Sequence, residues 1–387
     1  MIGLLMLLAQ VGSPAVTEKP IVVTARRLDD TRRALDACLA RKCPPSEDID
    51  TSLAHAENQF LAGDYEAART TLLASRRRNA RFAKTLPVPV SDLSRANARM
   101  AALVGMPDVA RVNTIEALDA LKAGLPSNDA RVLSQRLEIG DVFARQGRLT
   151  AATDMYDDVA KRARDAGQPL IQGYAMLRKA VLYGAMASID SAYRQAAQRA
   201  IRAIENADGT GLEPFKDGVK LLKARLAVFD GDTKAIDAAL ASMQKVSTKA
   251  PILVFAPPIA ADERGRIDGT KMSSLQIRGS DNAQWADVSF WVAPDGTVRD
   301  IDVMRQSDTL DPTWLERATK ALAGRRYQPM AMAPGSPGLL RVERYSYVWD
   351  RASETGTRIA TRVSTGHVEI LDLTVAPEQP PGTPSKG

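Results

Sequence analysis

Between Trp285 and Trp349 the periodicity of the sequence passes from strand to helix and back, and that order constrains the fold more than any other feature. The run Trp285–Val292 is β-rich, and Ala286, Val288, Phe290 and Val292 recur at the two-residue period of one strand face. Pro294-Asp295-Gly296 turns the chain, with glycine supplying the positive φ of a hairpin loop, and Val298 to Met304 reads as the returning strand. Asp311-Pro312 opens a helix, because proline suits a first turn whose N–H has no intrahelical acceptor. Trp314, Leu315, Ala318 and Leu322 form its apolar stripe, and Gly324 ends it. Arg326-Tyr327-Gln328-Pro329 follows, then a third strand from Leu339 to Trp349. The order hairpin, helix, strand predicts a small α+β unit.

Upstream, from Leu28 to about Val246, the pattern is helical and rich in alanine. Breaks fall at Pro44-Pro45, Gly63, Pro87 to Pro89, Gly105 to Pro107, Gly124 to Pro126, Gly147, Gly167 to Pro169, Gly209 to Gly211 and Gly231. Leu137, Gly140, Phe143, Gly147, Ala152 and Tyr156 stand at the spacings of a tetratricopeptide repeat (TPR), and Ala56, Phe60, Gly63, Tyr65, Ala68 and Leu72 give a looser copy. Small residues there let paired helices approach, and neighbouring hairpins stack to bury what remains. The glycine spacing is not a multiple of the repeat length. The expectation is therefore an irregular TPR-like α-solenoid over 28–248, followed by the α+β domain over 249–375. The segment Lys249 to Ile259, with its β-branched run bracketed by prolines, reads as an edge strand or an extended docking segment between the two domains. Ser273 to Arg278 offers a further short strand, and 358–363 with 367–373 a hairpin across Ser364 to Gly366 that could extend the sheet and cover its edge.

The C-terminal series resembles the C-terminal domain of TonB, the periplasmic energy transducer of Gram-negative bacteria. The resemblance rests on the strand Val288–Val292, the Asp295-Gly296 turn, Leu310-Asp311 before the helix, Arg326-Tyr327-Gln328-Pro329, and Gly335 or Gly338 before the last strand. Arg325 stands where that family carries an aromatic residue, and the chain runs on from Arg351 to Thr374. The resemblance implies that a partner's peptide adds as a strand along Leu339 to Val348, with Arg341, Glu343, Tyr345 and Tyr347 as candidate contacts. Near the N-terminus, Ile21-Val22-Val23-Thr24-Ala25 is strongly β-prone and looks like the TonB box of outer-membrane receptors, the segment that TonB grips by strand addition. An ordinary strand or an unstructured leader remnant is the other reading of those five residues.

Ile2 to Ala9 is too short to span a bilayer and has the length of a signal-peptide core, with small residues at Gly12, Ser13 and Ala15. The expectation is a signal peptide over 1–16, an extended segment over 17–27, a periplasmic location and no transmembrane anchor. In an oxidising compartment Cys38 and Cys43 form a disulfide if the helix between them unwinds before Pro44-Pro45; free buried thiols are the alternative. Residues 376–387 are rich in proline and read as a disordered tail.

The chain has 387 residues, is 45% apolar and carries a net charge of +6, without the dense basic run that nucleic-acid binding demands. Its strongest basic cluster, Arg76-Arg77-Arg78 with Arg81, reads as a solvated helix end. Two histidines, His55 and His367, with two cysteines are too few for a metal site, and neither histidine lies in a nucleophile or HExxH setting. Asp29-Asp30 and Asp157-Asp158 point apart on a helix. No cofactor and no enzymatic activity are expected. The sequence thus predicts a non-enzymatic protein-interaction protein of the envelope, with TonB or a TonB-dependent receptor as partner and an adaptor or regulatory role. A plain envelope scaffold is the alternative, and an enzyme whose site is scattered in sequence is a third reading.

Overall fold

The structure, a computed structural model, describes residues 27–209, 211–229, 231–232, 234–242, 245, 250–257, 259, 283–353 and 360–374. The expected leader, Ile21–Ala25, the Ser273–Arg278 strand and the 376–387 tail lie outside the described residues.

The N-terminal part is an array of helices: α1 (Leu28–Ala40), α2 (Pro45–Leu61), α3 (Tyr65–Asn79), α4 (Pro87–Leu103), α5 (Pro107–Gly124), α6 (Ala130–Arg145), α7 (Leu149–Asp165), α8 (Pro169–Ala187), α9 (Arg194–Glu205), α10 (Glu213–Phe229) and α11 (Ala235–Ala241). Prolines open α2, α4, α5 and α8, where the missing N–H costs nothing. Each helix packs on the next, so that α2/α3, α4/α5, α6/α7 and α8/α9 form stacked hairpins. The spacing read in α6/α7 has a steric cause. Tyr156 lies flat against Gly140, where a Cβ would stand 2.5 Å from its ring. Leu133, Leu137, Ala152, Tyr156 and Val159 close the hairpin's core.

At the end of α1 the backbone unwinds through Lys42, which has φ of 54°, and the Cys43 N–H donates to the Cys38 carbonyl. That brings the two cysteines into a disulfide with Cα atoms 5.1 Å apart. The arginine cluster is not the solvated helix end that was expected. Arg78 turns inward to the buried carboxylate of Asp48, and Arg76 bridges to Asn113 and Glu116 on α5, so only Arg77 and Arg81 face solvent. Local charge density gave no sign of those distant acceptors.

The C-terminal part comprises β1 (Leu253–Phe255), β2 (Gln284–Val292), β3 (Val298–Gln306), α12 (Pro312–Ala323), β4 (Arg326–Tyr327), β5 (Leu339–Ser353) and β6 (Ala360–Asp372). Strands β3-β2-β5-β6 form one antiparallel sheet, while β1 pairs with β4 beside it. Ala286, Val288, Phe290 and Val292 are fully buried and pack with Trp314, Leu315, Ala318 and Leu322 of α12. The Asp311 side chain caps that helix. The expected hairpin across Ser364 to Gly366 is instead one continuous strand, β6, antiparallel to β5. Gly366 does not turn the chain. It makes room, since a Cβ there would lie 2.4 Å from the Tyr347 ring.

The contrast between two helical glycines provides a test. An alanine in a helix ordinarily gains about 1 kcal/mol over glycine. Gly218 of α10 meets only ordinary contacts, 3.7 Å from Leu177, so Gly218→Ala is expected to raise stability. Gly140→Ala is expected to lower it by about 1–3 kcal/mol through overpacking against Tyr156. Urea unfolding of the two variants would show shifts of opposite sign.

Candidate functional site

The second face of the sheet carries polar residues, and they meet the helical array. Alternation puts Asp287 of β2 and Arg344 of β5 opposite one another on that face. Both are buried, Arg344 completely. Its Nε and Nη2 donate to the two carboxylate oxygens of Asp287 at 2.6 and 2.9 Å. Its remaining donors reach the carbonyls of Phe60 and Leu61, the latter at 2.9 Å, so the guanidinium caps the C-terminus of α2. The Trp285 and Phe60 rings stack on it, with centroids 4.0 and 4.8 Å from its Cζ. Arg305 of β3 completes the cluster from the other side of Asp287 at 2.5 Å.

Two helix turns make room for this contact. Gly63 has φ of 87° and would place a Cβ 2.5 Å from the Trp285 indole; Gly105 has φ of 74° and would meet the Trp349 carbonyl oxygen at 2.0 Å. The Arg351 N–H donates to the Gly105 carbonyl at 2.7 Å, and the Tyr65 hydroxyl lies 2.9 Å from Ser346 Oγ, with burial pushing the phenol pKa up. The two sequence-defined domains therefore share one core, in which Ile49, Phe60, Leu72 and Met100 pack with Trp285, Leu371 and Leu373.

The residues expected to receive a partner's strand are occupied within the chain. From Glu343 to Ser353 the open side of β5 is paired by β6, so its backbone groups are already spent. Glu343 is gripped by Arg325, whose Nη1 lies 2.9 Å from both carboxylate oxygens, and accepts from the Tyr345 hydroxyl at 2.8 Å. Tyr345 is buried, Tyr347 stacks on Trp314, and Arg341 pairs with Asp372 of β6. These side chains share the face covered by α12, which withdraws them from partners. Strand alternation contained that signal: the odd-numbered residues of β5 face the same way as Phe290. Arg325 serves to neutralise Glu343 inside this core. Among the described residues the sheet's edge strands are β6 on this side and β3 on the other, where Val303 and Met304 are exposed.

Two clefts flank the joint. One, of about 600 Å³, lies between the α2–α3 turn and the Ser307–Thr309 turn, among Asp64, Glu66, Trp285, Asp308 and Trp349. The other, about 530 Å³ and mostly apolar, runs between α2 and α4 and ends at Leu371–Thr374. Neither histidine lines them. His55 is buried beside Thr31 Oγ1 at 3.1 Å, its pKa lowered by burial and by Arg32. His367 sits on β6 with Glu369, 3.2 Å away, which raises its pKa. Among the described residues no group of three or more histidine, cysteine or carboxylate residues could hold a metal, and no helix is long and apolar enough to cross a membrane.

No family model matches this chain, and no curated protein matches it. Among solved structures it is similar to BtubC (BKLC) from P. vanneervenii, at 14% identity and a TM-score of 0.42 over 60% of this chain and 98% of that one. A kinesin light chain-like protein from Podosopora anserina with nearly identical TPR-like repeats is similar at 14% identity and a TM-score of 0.38, over 51% of this chain and 93% of that one.

The joint generates a stability prediction. Arg344→Met leaves the Asp287 carboxylate and two helix-end carbonyls buried with fewer donors, and is expected to cost about 3–5 kcal/mol in urea unfolding. The double variant D287L/R344M, which removes both buried charges, is expected to recover part of that loss. A single variant as stable as the parent would mean that the sheet and the array are not coupled through this residue.

Proposed function

We propose that this protein is a non-enzymatic protein-interaction protein of the periplasm. In this reading the helical array is a scaffold, and a TonB C-terminal-like sheet is docked along its turns. The observation that carries the reading is the joint at Arg344 together with the filling of the β5 edge by β6. These leave recognition to the apolar groove between α2 and α4 and to the extended segment Ile21–Ala25. The groove has the chemistry of a peptide site, with Leu53, Phe60, Leu61 and Met100 on its walls and Glu57 and Arg99 at its rim.

The finer reading places this protein beside TonB-dependent transport as an adaptor. The segment Ile21–Ala25, similar to a TonB box, would be offered to TonB itself, and the groove would hold a second envelope protein. What supports that reading is the β-prone sequence of the segment alone, which suits strand addition. The scaffold reading, without any part in energy transduction, is favoured by one observation: the strand-accepting side of the TonB-like sheet is already used.

Photo-crosslinking residues at Val23 and Glu57, introduced separately into the full chain in a Gram-negative periplasm, separate the two. The adaptor reading expects an adduct with a TonB-type protein from Val23. Adducts from Glu57 alone would leave the scaffold reading, and no protein adduct from either position would remove both.

A further inference from the structure

We propose that the groove between α2 and α4 is the docking site of this chain's own segment Val375–Pro381, which follows directly from its mouth. This builds on the assignment of the groove as a recognition surface and identifies what fills it when no partner does.

The course of β6 carries the inference. Leu371 and Leu373 are two residues apart and both turn toward the array, where they pack against the core formed by α2, α3 and α4. At the strand end the chain is held at a defined place: the Leu373 N–H donates to the Val342 carbonyl at 2.8 Å, and the Val342 N–H donates to Thr374 Oγ1 at 3.0 Å. Leu371, Leu373 and Thr374 thereby complete one wall of the groove, and the segment that follows is tethered there. Docking as proposed would set Val375, two residues beyond Leu373, against the apolar surface that Leu53, Ala96 and Met100 present.

The sequence then changes in a way that suits a groove better than a sheet. Pro377, Pro380 and Pro381 have no N–H to donate, so the segment cannot go on as a ladder strand beside β5. Such a run prefers the polyproline II form, which presents apolar rings at low entropic cost to grooves of this kind. Charge agrees with the placement. Arg99 is exposed at the rim and makes no ion pair among the described residues, and the segment carries Glu378 four residues beyond Thr374. A second copy of the chain or a foreign peptide would have to reach the same surface without this tether. The tether raises the segment's effective concentration to the order of millimolar, which favours self-occupancy.

Disulfide trapping in the full-length chain tests this. The pair A96C/P377C is expected to close within one chain about a hundredfold faster than the control pair V112C/P377C, whose Val112 is exposed on α5. Adding Leu53→Glu or Met100→Glu should slow that closure. Equal rates for the two pairs, or closure indifferent to both groove variants, would overturn the proposal, and a disulfide-linked dimer would assign the groove to a second copy instead. A chain ending at Thr374 provides an independent reading. It should bind a hydrophobic dye several-fold more strongly than the full chain, and a synthetic Val375–Pro381 peptide at roughly millimolar concentration should displace the dye. Unchanged dye binding would also overturn the proposal. Neither measurement involves an envelope partner, so failure to find such a partner and failure of the segment to dock are separate results.

Discussion

Burying the guanidinium of Arg344 is the constraint on which the remaining architecture depends. Removing a charge from water costs several kcal/mol per ion, and that cost is offset only where each donor finds an acceptor. Here Asp287 takes two donors and the end of α2 takes the others. Trp285 and Phe60 close over the faces of the group. All of these partners must be in place together. Asp287 can meet Arg344 only if β2 and β5 pair in the observed register, because a slip of one residue would send the arginine to the α12 side. The carbonyls of Phe60 and Leu61 are within reach only if the α2–α3 turn lies against the sheet, which the glycine at position 63 permits.

This constraint has a consequence for the sheet as a module. One face is buried under α12, and the other is buried on the helical turns at positions 63 and 105. A four-stranded sheet covered on both faces interacts with other molecules through its edges or not at all. On one side β6 covers β5 and becomes the edge strand itself, and on the other the edge is β3 with its charged, exposed residues. Charged side chains along an edge discourage indiscriminate pairing with other strands. In the helical array, by contrast, α2 and α4 stand far enough apart to leave an apolar groove.

The sheet also holds a second ion pair on its opposite face. Arg325 and Glu343 are both buried under α12, and the Tyr327 and Tyr345 hydroxyls complete their hydrogen bonds. Burial by itself lowers the pKa of Arg325, but Tyr345 and Glu343 outweigh it and hold the group above its usual value. Two such pairs on opposite faces select one arrangement of strands, since any alternative would leave a charge unpaired in an apolar layer. They specify the fold more than they stabilise it, because well-packed apolar residues in their places would serve stability as well.

Most of the local structure was legible in the sequence. Proline at the helix starts, glycine at the turns, the two-residue period of Ala286 to Val292 and the stripe from Trp314 to Leu322 each depend on neighbours a few residues away, and each appears in the structure where the periodicity put it. Cys38 and Cys43 belong to the same class, because an unwound last turn is all that joins them. What the sequence alone did not determine lies in pairings between distant residues. Gly366 read as a turn until β5 supplied Tyr347 beside it, and Arg341 to Tyr347 read as partner contacts, although residues 358–373 also read as a cover for that edge, the alternative that β6 fulfils. Arg344 and Phe60 are separated by 284 positions, and no period connects them. Periodicity reports which face of an element is buried; only packing decides what buries it, because a charge can be satisfied by any complementary group the chain brings within reach.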